Sequence, residues 1–132
     1  MRVAELMEKN VLTVGEDATV ADVIVTMSDA HVSSLPVVDG HGRMLGVISS
    51  TDVLNVEAET DAGDLRTLLT ATTVGAIMTT RSLAVSPETT VREAAQQMLY
   101  ADVHRLYVVE HGQVVGVIST TDIVRAVASA QL

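Results

Sequence analysis

A stretch near the middle of the chain, GVISSTDVL at 46–54, returns near its end as GVISTTDIV at 116–124. The similarity continues upstream at constant spacing, where identical aligned pairs include Val3 with Val74, Met7 with Met78, Val14 with Val85 and Leu35 with Leu106. The register shifts once, where the turn DGHG is matched by the shorter EHG. Because a chance register would not place its gap inside a turn, residues 3–55 and 74–125 are a tandem duplication.

Both halves predict the same order of elements, β-α-β-β-α. The short runs LTV and LAV predict strands, and TVADVIVTM and TVREAAQQML carry apolar residues at helical spacing. LPVV and LYVV are typical of strands that glycine-containing turns join to MLGVIS and VVGVIS as hairpins, and a last helix begins at STD or TTD. A half of this size rarely buries enough apolar surface alone, so we predict an α/β fold of two halves packed about a pseudo-twofold axis.

The repeats suggest three segments: a first repeat at 1–55, a linker at 56–73 and a second repeat at 74–132. Acidic residues are frequent in the linker, which is expected to be solvated; they are Glu57, Glu59, Asp61 and Asp64. Leucines predict a short helix that leads into the second repeat; they are Leu65, Leu68 and Leu69.

The composition argues against several classes of protein. The chain has 17 Asp and Glu against 8 Lys and Arg, a net charge of −9, so its surface repels nucleic acid and anionic lipid. It has no cysteine, and its apolar runs are too short to span a membrane, so a cytoplasmic protein without disulfides is predicted. We find no metal-ligand spacing among the histidines, no nucleophile with a paired base and no P-loop, so neither a protein-bound metal nor catalysis is expected.

Each copy of the repeated stretch has a serine three residues before an aspartate: Ser49 with Asp52, and Ser119 with Asp122. One interpretation is structural, because a serine and an acid at this spacing form a capping box at the start of a helix. The other is a binding site, because the N–H groups at a helix start attract phosphate and a carboxylate accepts hydrogen bonds from sugar hydroxyls. The residues alone leave both interpretations open.

The stretch VSSLPVVDGHGRMLGVISSTDVL at 32–54 is similar to the cystathionine-β-synthase (CBS) domain. VHRLYVVEHGQVVGVISTTDIVRAV at 103–127 resembles the last repeat of the AMP-activated protein kinase γ subunit, which belongs to that family. The resemblance covers both repeats, so the chain resembles a stand-alone tandem CBS pair, also called a Bateman module. It implies clefts between the repeats that, in many members, bind AMP, ADP, ATP, S-adenosylmethionine or NAD.

The resemblance also implies candidate ligand contacts, since the matching aspartate holds ribose and the matching hydroxyls touch phosphate in the family. It assigns one cleft to Asp122, Ser119, Thr121, His104 and Arg105, of which the His-Arg pair contacts phosphate in the kinase subunit. It assigns the other cleft to Asp52, Ser49, Thr51 and Ser34. Because family sites mix residues of both halves, Arg81 is expected to reach the Asp52 site, and Val11, Leu12 and Thr13 to line an adenine pocket beside Asp122.

The two clefts are expected to be unequal, because Ser33 and Ser34 stand where the second repeat has His104 and Arg105. A phosphorylated ligand should therefore prefer the Asp122 site. We predict a non-enzymatic sensor that binds AMP, ADP or ATP, with Mg²⁺ arriving only with ATP, and that signals to an effector protein. A homodimer through helices is expected by analogy with the family. The alternatives are a binder of S-adenosylmethionine or another adenosyl ligand, and a ligand-free assembly module in which both Ser-x-x-Asp motifs are only caps.

Overall fold

The computed structural model of the chain describes residues 1–59, 64–80 and 83–129. After a short 3₁₀ helix at Val3–Glu5, the first repeat contains β1 (Val14–Gly15), α1 (Val20–Ala30), β2 (Ser34–Val38), β3 (Met44–Ser49) and α2 (Ser50–Ala58). The rest of the chain contains α3 (Leu65–Ala71), α4 (Val74–Ile77), β4 (Ala84–Val85), α5 (Val91–Ala101), β5 (Arg105–Glu110), β6 (Gln113–Ser119) and α6 (Thr120–Ala128). The α/β class and the predicted order of elements in each repeat are confirmed.

The strands form two three-stranded sheets of identical topology, β1-β2-β3 and β4-β5-β6. In each sheet the short first strand runs parallel to the second, and the second and third form an antiparallel hairpin. The hairpins also share an irregularity, since the register shifts at Val37/Val38 in one and at Val108/Val109 in the other. Both predicted hairpins are therefore confirmed.

The chain divides into two compact units whose boundaries differ from those of the repeats. Unit 1 comprises Met1–Val11 and Leu83–Leu132, and unit 2 comprises Leu12–Ser82. Each repeat thus gives its first residues to the unit that contains the body of the other repeat. We call residues 1–8 the first lead segment and residues 72–79 the second. The predicted pseudo-twofold packing of the halves stays a prediction.

The first lead segment is bonded to unit 1 along its length. Val91 N–H donates to the Met1 carbonyl at 2.9 Å, and Val3 N–H donates to the Thr89 carbonyl at 2.8 Å. Further along, Glu8 and Val117 exchange two backbone hydrogen bonds of 2.9 Å each. These bonds fix the segment against both the start of α5 and the strand β6.

The second lead segment is bonded to unit 2 in the same way. Val20 N–H donates to the Thr72 carbonyl at 3.0 Å, and Val74 N–H donates to the Ala18 carbonyl at 2.7 Å. Thr79 and Val47 exchange two backbone hydrogen bonds of 2.9 Å. The two units therefore share the same backbone structure, including the hydrogen bonds that attach the lead segment.

Each unit has its own aliphatic core, and a valine of the lead segment is part of it. In unit 1 the fully buried Val3 joins a cluster formed with Val85, Ala94, Met98, Leu106, Val108 and Ile118. In unit 2 the fully buried Val74 joins Val14, Val23, Met27, Leu35, Val37 and Ile48. The sequence alignment of Val3 with Val74 thus reflects equivalent core positions.

The predicted linker at 56–73 is only partly irregular. Helix α2 continues to Ala58, so Glu57 belongs to a helix, whereas Asp61 lies outside the described residues. The predicted short helix is confirmed as α3, which contacts α1 within unit 2. No helix in the described ranges has both the length and the apolarity needed to cross a bilayer.

Helices α1 and α5 each end before a residue with left-handed backbone. These residues are His31 (φ 55°) after α1 and Asp102 (φ 54°) after α5. This conformation strains residues with a side chain and favours glycine. We expect Asp102→Gly to raise the free energy of unfolding by about 0.5–1 kcal/mol in urea titration, because strain relief exceeds the entropy lost by glycine. Ala101→Gly, at the last helical residue of α5, should lower stability by up to about 0.5 kcal/mol, and equal effects at the two positions would contradict this explanation.

Candidate functional site

Asp122 lies at the start of α6 and is buried, with 7% of its surface exposed. Its Oδ2 accepts hydrogen bonds from the Ser119 backbone N–H at 2.8 Å and the Ser119 hydroxyl at 2.9 Å. In return, the Asp122 N–H donates to Ser119 Oγ at 3.2 Å, which completes a capping box. The carboxylate thus uses Oδ2 for the cap, and its Oδ1 lies 3.8 Å from Nη1 of Arg125, a largely exposed side chain.

Asp52 caps α2 with the same geometry in unit 2. Its Oδ2 accepts from the Ser49 N–H at 2.8 Å and from the Ser49 hydroxyl at 3.0 Å, and its own N–H donates to Ser49 Oγ at 3.4 Å. Its Oδ1 has a different partner, the Thr79 hydroxyl, which donates at 3.1 Å. The structural interpretation of both Ser-x-x-Asp motifs is therefore correct, and in both the second carboxylate oxygen takes no part in the cap.

The surroundings of the second oxygen distinguish the two units. Thr79 of the second lead segment aligns with Glu8 of the first, and both residues pair with the third strand of their unit. Likewise, Asn55 aligns with Arg125. A hydroxyl and an amide in unit 2 are thus replaced by a carboxylate and a guanidinium in unit 1. Unit 1 therefore carries charged residues at positions where unit 2 carries neutral ones.

Backbone pairing brings the predicted His-Arg pair to the start of α6. Arg105 lies opposite Ser119 in the hairpin, and Thr120 N–H donates to the His104 carbonyl at 2.9 Å. The His104 side chain, which is exposed, lines a groove between α5 and α6 together with Thr120.

Unit 2 places the aligned residues in the same way. Ser34 lies opposite Ser49, and Ser50 N–H donates to the Ser33 carbonyl at 2.9 Å. Thr51 and Thr121 are exposed in the first turns of α2 and α6. Within each unit, the predicted hydroxyls and carboxylate therefore gather at one helix start.

The positions of the remaining candidates relative to these groups stay predictions. Val11 belongs to unit 1, whereas Leu12 and Thr13, both exposed, belong to unit 2. Their predicted position beside Asp122 stays a prediction. Arg81 lies outside the described residues, so its predicted contact with the Asp52 site stays a prediction as well.

Two contacts of the carboxylates are absent from the sequence prediction. Arg125 follows Asp122 by one helical turn, a spacing at which opposite charges meet, so the sequence did contain its signal. Thr79 is remote from Asp52 in the chain, and only the pairing of the second lead segment with β3 brings them together. Only the tertiary structure identifies this contact.

Chemically, each helix start offers donors to an anion and an acceptor to hydroxyl groups. The positive end of each helix attracts negative charge, and in unit 1 the backbone of Arg105, a permanently charged residue, lies opposite Ser119. Among residues 1–59, 64–80 and 83–129, no three His, Asp or Glu side chains are grouped so that they could bind a metal ion. The arrangement is suited to binding a small polar molecule with an anionic part.

Comparison with known proteins adds the family. The sequence model of the CBS domain matches residues 3–59 and 74–129. The uncharacterized protein MJ1225 of Methanocaldococcus jannaschii is 28% identical over 127 residues, which are 96% of this chain and 43% of that protein. The chain thus spans less than half the length of this relative.

Two solved structures have the same fold. CBSX2 in complex with AMP is 27% identical, with a TM-score of 0.83 over 99% of this chain and 98% of the other. The CBS domain pair of MJ0100, in complex with 5'-methylthioadenosine and S-adenosyl-L-methionine, has a TM-score of 0.81 at 22% identity, over 98% of each chain. Both halves of the sequence and both three-stranded units agree with these matches, and the chain belongs to the CBS-domain family.

Proposed function

We propose that this chain is a regulatory module without catalytic activity, which binds an adenine nucleotide, AMP, ADP or ATP, at its helix starts. The observation that carries the proposal is the Asp122 carboxylate, which uses Oδ2 for the helix cap and has Oδ1 outside it. The resemblance to a CBS pair that contains AMP supports it. The prediction of a cytoplasmic protein belongs to the same proposal.

Each group has a chemical role in the proposed complex. Asp122 Oδ1 accepts hydrogen bonds from the ribose hydroxyls, and these are strong because the acceptor is charged. The Thr121 N–H and hydroxyl, at the positive end of α6, and the Arg105 guanidinium bind phosphate. In unit 2, Asp52 Oδ1 already accepts the Thr79 hydroxyl, and Ser34 replaces the arginine. We therefore propose that the nucleotide binds more tightly at Asp122 than at Asp52.

The second candidate function is binding of an adenosyl ligand without phosphates, such as S-adenosylmethionine. The complex of MJ0100 with S-adenosyl-L-methionine and 5'-methylthioadenosine favours it, because that protein has the same fold. The ligand-free assembly module is favoured by the complete capping boxes, which give both aspartates a structural role. We rank nucleotides above both alternatives, because Arg105 lies beside the start of α6 and supplies a permanent positive charge for phosphate.

Signalling requires that nucleotide binding changes the structure of the module in a way that an effector protein detects. We propose that the nucleotide changes the conformation of the module or the geometry of a homodimer formed through its helices. A ligand that binds one conformation more tightly shifts the equilibrium toward it by its difference in affinity. A change of sedimentation coefficient or of X-ray scattering on addition of nucleotide would report this step.

The class of ligand is tested by thermal denaturation and calorimetry with AMP, ADP, ATP, ATP with Mg²⁺, S-adenosylmethionine and NAD. A ligand present at 100 times its Kd stabilises the fold by about 2.7 kcal/mol, which raises Tm by roughly 10 °C for a domain of this size. Stabilisation by nucleotides above that by S-adenosylmethionine would support the proposal. The reverse order would favour the second candidate, and no stabilisation by any of them would favour the assembly module.

We expect Asp122→Asn to weaken nucleotide binding by about 10–100-fold, because it removes a charge-assisted interaction of about 1.5–3 kcal/mol. The amide oxygen still accepts the Ser119 hydrogen bonds, so the free energy of unfolding should fall by less than about 1 kcal/mol. Isothermal titration calorimetry measures the first effect and urea unfolding the second. Asp29→Asn is the control, because Asp29 is exposed in α1 and its loss changes charge equally. Equal Kd values for the two variants would contradict a role of Asp122 in binding.

A further inference from the structure

The Asp52 carboxylate is more fully used inside the protein than a helix cap requires. An ionised carboxylate offers about two acceptor positions on each oxygen. Oδ2 of Asp52 accepts from both the N–H and the hydroxyl of Ser49, so the cap uses both of its positions. Oδ1 accepts from the Thr79 hydroxyl at 3.1 Å, which takes one of its two positions. Because a ribose has two neighbouring hydroxyls, a ribose that donates both of them to Oδ1 has to displace the hydroxyl of Thr79.

Thr79 reaches Asp52 because the second lead segment lies directly against β3. Thr79 and Val47 exchange two backbone hydrogen bonds of 2.9 Å, and Val47 stands two residues before the N-cap Ser49. Gly46 permits this close approach, since a Cβ there would lie 2.6 Å from the Thr79 carbonyl oxygen. The hydroxyl bond to Asp52 therefore adds a side-chain attachment to the backbone bonds that hold the end of the segment on β3.

The first lead segment makes no such attachment. Glu8, which aligns with Thr79, exchanges the same two backbone bonds with Val117 at 2.9 Å. An ionised carboxylate accepts hydrogen bonds but cannot donate one, and residues 1–8 contain no hydroxyl side chain. Oδ1 of Asp122 instead has Nη1 of Arg125 at 3.8 Å, within the same helix. A ligand at Asp122 thus has no lead-segment hydroxyl to displace.

We infer that Asp52 is the reporting site of the module: a ribose bound there replaces the Thr79 hydroxyl and weakens the attachment of the second lead segment to β3. After this segment the chain passes from unit 2 into unit 1 at Leu83. The inference rests on the proposed nucleotide binding and gives the two sites different roles. Asp122 is the site of tighter binding, whereas occupancy of Asp52 changes the segment that leads from one unit to the other.

The competition is balanced closely enough to act as a switch. Thr79 is exposed and Asp52 is half-buried, so a ligand can approach the hydrogen bond from solvent. The ribose gains a charged acceptor and the segment loses the same acceptor, so the two bonds largely offset each other. Coupling of this kind is reciprocal, and attachment of the segment therefore lowers the affinity of Asp52 for ribose.

Thr79→Val tests the competition, because it removes the hydroxyl and keeps a β-branched side chain suited to extended backbone. In a chain that also carries Asp122→Asn, the amide NMR shifts at the start of α2 report the binding of AMP at Asp52. We expect Thr79→Val to lower this Kd by about 5–10-fold, since one competing hydrogen bond to a charged group is removed. Thr79→Ser keeps the hydroxyl and should keep the Kd within about 2-fold.

Thr80→Val is the matched control, since Thr80 is the exposed neighbour of Thr79 and the same hydroxyl is lost. Its Kd for AMP at Asp52 should equal that of the parent chain. An unchanged Kd in Thr79→Val would overturn the inference. Equal reductions in the two valine variants would also overturn it, because the hydroxyl bonded to Asp52 would then have no particular role.

Hydrogen exchange measures the attachment of the segment directly. A bound ligand ordinarily slows the exchange of nearby amides, because it stabilises the folded state. We expect saturating AMP to accelerate instead the exchange of the Val47 and Thr79 amides, by at least about 5-fold. In a chain with Asp52→Asn, AMP bound at Asp122 should leave the Glu8 amide unaccelerated. Slower or unchanged exchange at Val47 and Thr79 in the AMP complex would overturn the inference.

The nucleotide dAMP provides a control on the side of the ligand, since its sugar has one hydroxyl and needs one acceptor position. It should bind at Asp52 without accelerating exchange at Thr79. Equal acceleration by AMP and dAMP would overturn the displacement of the Thr79 hydroxyl. A wild-type chain that binds no AMP would contradict the proposed function and the inference together, whereas AMP binding without these effects would overturn the inference alone.

Discussion

Val3→Asp is expected to destabilise unit 1 more than unit 2, although Val3 belongs to the first repeat in the sequence. Its side chain is fully buried in the unit 1 core among Val85, Met98 and Leu106. Burying an unpaired carboxylate costs about 4 kcal/mol or more, which approaches the whole stability of an ordinary small domain. Native-state hydrogen exchange resolved by residue should therefore show faster exchange in β5 and β6 than in β2 and β3.

The neighbouring Ala4→Asp is the matched control, because Ala4 is exposed in the same lead segment. It should change stability by less than about 0.5 kcal/mol. Val74→Asp provides the reciprocal experiment, since Val74 is the buried equivalent in unit 2 and should accelerate exchange in β2 and β3. If Val3→Asp instead accelerates exchange first in β2 and β3, the assignment of the first lead segment to unit 1 is wrong.

Gly46→Ala is expected to lower the free energy of unfolding by about 3 kcal/mol, at the upper end of overpacking effects. A Cβ at this position would lie 2.6 Å from the Thr79 carbonyl oxygen, which belongs to the backbone of the second lead segment. The segment would have to move away from β3, and the two hydrogen bonds between Thr79 and Val47 would weaken. Urea or thermal unfolding measures the loss.

Gly116→Ala should have a smaller effect, because the atom nearest to its added Cβ, at 2.7 Å, is the sulfur at the flexible end of Met7. Gly40→Ala is the control, since nothing lies within 4 Å of the added methyl group and stability should be unchanged or slightly higher. Equal losses at Gly46 and Gly40 would show that loss of glycine itself, and not the contact with the lead segment, is responsible.

These variants also connect stability to the candidate site. Thr79 donates its hydroxyl to Asp52, so displacement of the second lead segment by Gly46→Ala should also free the second oxygen of that carboxylate. Gly116→Ala crowds the first lead segment less, because the Glu8 carbonyl oxygen would lie 3.0 Å from the added Cβ. The attachment of the second lead segment therefore determines the environment of the proposed acceptor at Asp52.

Local features of the sequence determined most of the secondary structure. The period of apolar residues predicts α1 and α5, β-branched runs on both sides of glycine-containing turns predict the hairpins, and Ser49 and Ser119 start the last helices as N-caps. These signals come from interactions between near neighbours, so one sequence reveals them. The duplication supports the prediction of each element, because both copies of the repeat predict the same structure.

The sequence also determined the family and the carboxylates at the two helix starts, since both lie within continuous stretches of the repeat. Only the tertiary structure decided which lead segment completes which unit, because Val3 and Val74 are equally apolar and would suit either core. It alone placed Thr79 on Asp52 and the His104 side chain in the groove between α5 and α6. The physical reason is that such contacts join residues that are distant in the sequence. They depend on the tertiary course of the chain, which the local preferences of single residues do not determine.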